Sequence, residues 1–387
     1  MSDQLIYLDY AATTPAAPEV IAAMQSCLGA DAVFANPSSV HLAGRRSAAV
    51  VDRARDQLAT LLQTRPDRLI FTSGATESDN LAIRGAAMAR AGQGRHLVTM
   101  KTEHKAVTDS FRHLEKEGFE VTWLLPGQDG LLALESLEAA LRDDTQLVSI
   151  MHVNNETGVI QDIHSIGSLC RERGILFHTD AAQSVGKLGF DLDDLPVDLL
   201  SLTAHKFYGP QGVGALYMAD HPGTAIFPIL FGGGQERRIR PGTLPVHLIC
   251  GIGAAAELAI AERSKNHERV TVLRGRLMSA LQDVAGILVN GNPDAAYPGI
   301  LNVSVADVDG ESLMLALEPL CVASGSACNS ANVEPSHVLK ALGRSDGEAE
   351  AAVRFSFGRT TTEEEVDQAA ALYLGAIDKL RGFAPAA

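Results

Sequence analysis

Five short apolar runs in this chain each stop at a polar residue. Leu69–Thr72 leads into Ser73-Gly74-Ala75-Thr76, and His96–Met100 into Thr102-Glu103-His104-Lys105. Leu147–Val153 leads into Asn154-Asn155-Glu156, residues 174–179 into Asp180, and Val197–Leu202 into His205-Lys206. Apolar runs of this length, alternating with helical stretches from about residue 16 to 262, predict buried strands of a mostly parallel sheet. Such sheets bind ligands beyond the carboxyl ends of their strands. One polar strand end is usually a turn or a helix cap. Five converging on one edge predict a site.

The residue types narrow its chemistry. A lysine on a turn is mostly exposed, but in a desolvated pocket its amine can form a Schiff base with a carbonyl. Pyridoxal phosphate held in that way needs an acidic partner for its ring nitrogen, and Asp180 stands about twenty-five residues before Lys206. The helical stretch from about Thr76 offers unpaired N–H groups at the positive end of a helix dipole, suited to a phosphate. Thr76 with Asp79 also resembles an ordinary capping arrangement. His104 can stack on a flat ring or move a proton. Glu103-His104 is no zinc motif, because no second histidine follows at helical spacing. Gly251-Ile-Gly-Ala-Ala-Ala256 resembles a dinucleotide fingerprint but follows no clear strand, and reads as helix packing.

The chain has 5 cysteines. Cys27, Cys170, Cys250 and Cys321 have aliphatic or helical neighbours and read as core residues. Cys328 lies in Ala323-Ser-Gly-Ser-Ala-Cys-Asn-Ser-Ala-Asn332, small polar residues that cannot build a core and predict an exposed, mobile loop. No cysteine spacing predicts a metal site or a dithiol couple.

These motifs resemble the cysteine desulfurases of the IscS/NifS type, within the class V aminotransferase family of pyridoxal-phosphate enzymes. The resemblance runs from Leu8-Asp9-Tyr10 to Arg354-Phe-Ser-Phe-Gly-Arg359, and takes in Thr72-Ser-Gly-Ala-Thr76, His152-Val-Asn-Asn-Glu156, His178-Thr-Asp-Ala-Ala-Gln183, Ala204-His-Lys206, Arg240-Pro-Gly-Thr243 and Ser324-Gly-Ser-Ala-Cys328. It implies an α/β protein of pyridoxal-phosphate fold type I, with a mostly parallel seven-stranded sheet. Residues 16–262 would form the large domain; residues 1–15 and 263–387 would form a smaller α+β domain carrying the cysteine loop.

The resemblance also implies roles. Lys206 holds the cofactor and moves the Cα proton, Asp180 keeps the ring nitrogen protonated, and His104 stacks and helps with protonation. Gln183 bonds the phenolic oxygen. Ala75, Thr76, Thr203, His205 and Thr243 of the partner subunit hold the phosphate. Arg354 with Asn155 grips the substrate carboxylate. Cys328 takes sulfur from L-cysteine as a persulfide, and alanine leaves. A homodimer is implied, as is an acceptor: an iron–sulfur scaffold protein, a tRNA-thiolation relay or a cofactor pathway. No resident metal is expected, with Cys328 at most a transient cluster ligand in a scaffold complex. A transaminase would not need the Cys328 loop; a selenocysteine lyase could share every feature; a non-catalytic sulfur carrier would not need Lys206, Asp180 and His104 together.

Thr203 stands where serine is common, Pro241 replaces a serine or alanine, and Asn329 replaces a threonine. The chain closes on Phe383-Ala-Pro-Ala-Ala387 without the aromatic and acidic tail by which many such enzymes dock the scaffold, which bears on that docking and not on the chemistry. Bulk properties agree with a cytoplasmic enzyme. A net charge of −15 disfavours nucleic acid as a partner. No signal segment opens the chain, no apolar run approaches about 18 residues, and unspaced cysteines suit a reducing compartment.

Overall fold

The protein was analysed as a computed structural model that describes residues 5–221, 223–324 and 335–383. After a short N-terminal strand, β1 (Ile6–Tyr7), seven strands build the main sheet. They are β2 (Leu69–Thr72), β3 (His96–Met100), β4 (Glu120–Leu124), β5 (Thr145–Ser149), β6 (Leu176–Asp180), β7 (Leu199–Thr203) and β8 (Gly214–Met218), in the order β2-β8-β7-β6-β5-β3-β4. Strands β3 to β7 are parallel, and β8 is antiparallel to both β7 and β2. Strand β2 therefore runs with the parallel set, and the carboxyl ends of β2, β3, β5, β6 and β7 share one edge.

Their continuous apolar character follows from burial on both faces. Phe71, Val98, Val148, Phe177 and Leu200 pack into one core layer with the Leu42–Leu62 helix and the first half of the Val246–Leu281 helix. The alternate residues Ile70, Leu97, Leu147, Leu176 and Leu199 face the Ala75–Ala89 and Lys105–Lys116 helices. Some polar residues inside the sheet link its strands. His178 bonds Ser149 at 2.8 Å and Ser201 at 2.9 Å, linking β5, β6 and β7.

A four-stranded antiparallel sheet lies beyond: β9 (Ile287–Val289), β10 (Ile300–Val305), β12 (Ala323–Ser324) and β13 (Ala352–Ser356), in the order β12-β13-β10-β9. Strand β1 pairs in parallel with β11 (Leu320–Cys321), and Ile6 and Leu8 enter the apolar cluster of this second sheet. The C-terminal helix, Glu363–Phe383, covers it with Val366, Ala370, Tyr373 and Ile377. The Val246–Leu281 helix spans both cores: Ile249 to Ala259 pack on the first, Val270 to Leu281 on the second. Gly251 and Gly253 lie inside it, where a Cβ on Gly253 would stand 2.8 Å from Ala54 of the crossing helix. Close helix packing, not phosphate binding, accounts for them.

Several expected boundaries differ. Strand β5 ends at Ser149, although Ile150 and His152 still donate to the carbonyls of His178 and Asp180 on β6. Strand β7 begins at Leu199, two residues late. The sequence pattern Thr361 with Glu364 reads as a capping box for the last helix, but the box forms one residue later, between Thr362 and Glu365, and the Thr361 hydroxyl accepts from Gly358 N. Thr76 with Asp79 does not cap its helix, whose N-cap is Gly74. Cys27 and Cys170 are buried, whereas Cys250 and Cys321 are only partly so.

Candidate active site

The turn after β7 is a single 3-10 turn, Ala204–Lys206, anchored by the fully buried Ala204. It aims Lys206 across the sheet edge. Lys206 Nζ donates to the carbonyls of Ala11 and Ala12 at 2.5 and 2.6 Å, so the N-terminal strip holds the amine. At the next strand end, Asp180 is buried and its Oδ1 accepts from Ala182 N at 2.9 Å. Burial raises its pKa, while His104 and Lys206 pull the other way. A cationic ring nitrogen beside it would restore the charged form.

His104 caps the Lys105–Lys116 helix: its Nδ1 accepts from Ala106 N at 3.1 Å. That bond puts the proton of the neutral ring on Nε2. Burial lowers the His104 pKa, so the neutral ring is the favoured form. Two buried bonds tie the loops after β3 and β5 together. Glu103 Oε1 accepts from Met151 N, and Asn154 Nδ2 donates to Thr102 O. The adjacent Asn155 Oδ1 is buried with no hydrogen-bond partner among the described residues. Arg354, on β13, donates from Nη1 to Asn155 O at 2.8 Å and from Nη2 to Asp9 at 2.6 Å.

The Ala75–Ala89 helix has no side-chain cap among the described residues, which leaves its first N–H groups open to a ligand. Gly74 at its N-cap has φ +152°, a region that glycine alone tolerates well. A Cβ at Gly214 would stand 2.7 Å from the Gly74 Cα, so this pair of glycines lets β8 pass close behind the helix start. Thr203 lies beside it. His205 Nδ1 meets Thr13 Oγ1 at 3.1 Å, and burial lowers the His205 pKa to about 4, leaving a neutral ring. Glu77 in the first turn is neutralised by Arg240 at 2.8 Å, which removes a charge that would oppose an anion here.

These groups line one cavity of about 540 Å³, a size suited to a small cofactor. Ala75, Thr76, Thr203 and His205 are at one part of its wall, with His104, Asp180, Gln183 and Lys206 alongside, and Asn155 and Arg354 complete the expected set. Thr243 is absent from the lining and is exposed. Cys328 lies outside the described residues, but the chain on both sides of it meets the site: Ala323 pairs with Arg354, and Ser336 Oγ donates to Glu156, beside Asn155, at 2.5 Å. The donor set fits pyridoxal phosphate: open helix N–H groups and hydroxyls for the phosphate, an acid, a neutral imidazole, an amine and an unpaired amide oxygen. Sequence reasoning missed Asp9, Glu77, Glu156 and Lys187. Asp9 stood inside a noted motif, but nothing in its spacing pointed to Arg354.

Comparison with known proteins agrees with this geometry. The family described as Aminotransferase class-V matches residues 6–369. The curated cysteine desulfurases IscS of Vibrio vulnificus and Tolumonas auensis are each 53% identical over 98% of this chain and 94% of the relative. Among solved structures, a NifS-like protein superposes with a TM-score of 0.90 at 34% identity, covering 97% of this chain and 100% of that one. A structure described as SspA in complex with cysteine gives 0.82 at 39% identity, covering 92% and 99%.

Proposed function

The chain belongs to the class V aminotransferase family, and from that membership we infer that it is a pyridoxal-phosphate-dependent cysteine desulfurase of fold type I. The observation that carries this reading is the convergence of Lys206, Asp180, His104 and Arg354 on one cavity, together with about half identity to curated desulfurases along nearly the whole chain.

When bound, pyridoxal phosphate supplies an electron sink for the pair left on Cα. The chain does the rest. Open N–H groups at Ala75 and Thr76, with Thr203 and His205, hold the phosphate, and the partner subunit's Thr243 joins them in a homodimer. That assignment accounts for an exposed Thr243 outside its own cavity. Asp180 holds a proton on the ring nitrogen. Arg354 binds the substrate carboxylate, with Asn155 adding its side-chain amide. The Lys206 amine would take the Cα proton, and His104, with its proton on Nε2, would help return protons. The Cys328 thiolate attacks the substrate sulfur: an S–S bond forms, the C–S bond breaks, and the carbon takes up a proton to leave as alanine. Cys328 is left as a persulfide, which passes to an acceptor protein such as an iron–sulfur scaffold. No helix among the described residues is long and apolar enough to cross a membrane, and we place the enzyme in the cytoplasm.

Incubating the pure protein with L-cysteine and a thiol reductant tests the reading. Alanine and sulfide should appear in equal amounts. Release of alanine from L-selenocysteine but not from L-cysteine would make it a selenocysteine lyase; neither reaction would reject the assignment.

A further inference from the structure

Lys187 is a partly buried amine that the reaction above does not use. It lies four residues after Gln183, in the turns that follow β6, and its Nζ donates to Gln183 Oε1 at 2.7 Å. Gln183 Nε2 donates in turn to Ala11 O at 2.7 Å, the same carbonyl that accepts from Lys206. The backbone that carries Lys187 is fixed against the residue after Lys206: a Cβ at Gly186 (φ +79°) would stand 2.5 Å from Phe207 Cβ. Lys187 and Lys206 border a second, small cavity of about 30 Å³, walled by Tyr10, Tyr208 and Tyr297 and sharing Ala11 and Lys206 with the larger one. That volume suits a water or two.

The two ends of a glutamine amide are nearly the same shape, and only their partners decide which way it faces. Here both partners agree. A carbonyl can only accept, so Nε2 must face Ala11. An amine donor then holds Oε1 on the opposite side. The second Nε2 hydrogen is left for the cavity that Gln183 also lines. Burial, with the Lys206 and Arg354 charges, pushes the Lys187 pKa well down; a neutral amine still donates this bond.

We propose that Lys187 is a positioning residue: by holding Oε1 of Gln183 it keeps the amide N–H directed at the cofactor's phenolic oxygen and couples that contact, through Ala11, to the Lys206 amine. The proposal rests on the reading that pyridoxal phosphate occupies this cavity with Gln183 at its phenolic oxygen. It does not need Lys187 to touch cofactor or substrate.

The test is a double-mutant cycle on the holoenzyme, read as cofactor dissociation constant and visible absorption maximum. Lys187→Met should weaken cofactor binding about tenfold, the worth of roughly one hydrogen bond, and shift the absorption maximum. Gln183→Ala should do the same, and adding Lys187→Met to Gln183→Ala should change neither quantity further. Lys187→Gln, whose amide still donates, should restore both toward wild type; it also stands in should Lys187→Met fail to fold by circular dichroism. Unchanged affinity and spectrum in Lys187→Met, full additivity in the cycle, or a Lys187→Gln variant as impaired as Gln183→Ala would each overturn the proposal. Failure of the wild type to link the cofactor to Lys206 would instead sink the underlying reading.

Discussion

Asp9 and Arg354 meet at 2.6 Å although 345 residues separate them along the chain. The contact exists because β1 and the residues after it run beside the second sheet, where Asp9 bridges Ser356 two residues beyond Arg354. Asp9 takes one Nη2 hydrogen and Asn155 O one Nη1 hydrogen, while the Nε–H has no partner among the described residues. The guanidinium is thus held from behind with hydrogens to spare for a substrate carboxylate.

Arg354→Ala should raise KM for L-cysteine by about 10- to 100-fold, as loss of a charged hydrogen bond of roughly 1.5–3 kcal/mol implies. The visible spectrum of the bound cofactor should be unchanged. Asp9→Asn keeps an acceptor but loses the charge, so its KM should rise less. Steady-state kinetics with spectra of the same samples check this; an unchanged KM in Arg354→Ala would remove the carboxylate-binding role.

For Asp180→Asn the expected defect is in proton transfer. On the proposed reading the phosphate is held at Ala75 and Thr76, at another strand end, so cofactor should still bind. Exchange of the substrate Cα hydrogen with deuterated water should slow on the order of 10²-fold or more, because a preorganised charge is lost from a buried position. Exchange near the wild-type rate would show that another group keeps the ring nitrogen protonated.

A third expectation concerns pH. Burial raises the Glu156 carboxyl from an ordinary 4.5 to about 7, against the pull of Ser336, Arg354 and Lys105. A folded pKa above the unfolded one means the native state binds the extra proton. The associated stability is therefore full below about pH 4.5 and is lost as pH rises through about 7. The stability of wild type relative to Glu156→Gln should fall by up to about 3 kcal/mol as pH rises across that window. Urea unfolding at several pH values measures it, and a pH-independent difference would contradict the assignment.

The sheet and most of the site were legible because burial on two faces writes strands as apolar runs, and each run's polar end marks the functional edge. Lys206, Asp180, His104 and Asn155 were found in that way. Arg354 was reached only through family resemblance, because its position depends on how the second sheet packs. Asp9 meets Arg354 across the fold, a contact that no local spacing encodes. The shift of the last helix cap from Thr361 to Thr362 has a local cause: two adjacent threonines offer equivalent hydroxyls, and Gly358 takes the first.

The most direct measurement is the site of sulfur after one turnover. Wild type and Cys328→Ser would each be mixed with L-cysteine without reductant, and alanine quantified while peptide mass spectrometry locates any added sulfur atom. In the wild type, one alanine should form per active site, with the sulfur on the Cys328 peptide. Cys328→Ser should bind cofactor and L-cysteine but form little alanine, since a hydroxyl is a far poorer nucleophile toward sulfur than a thiolate. Full alanine release by Cys328→Ser, with the sulfur on Cys27, Cys170, Cys250 or Cys321, would contradict the mechanism.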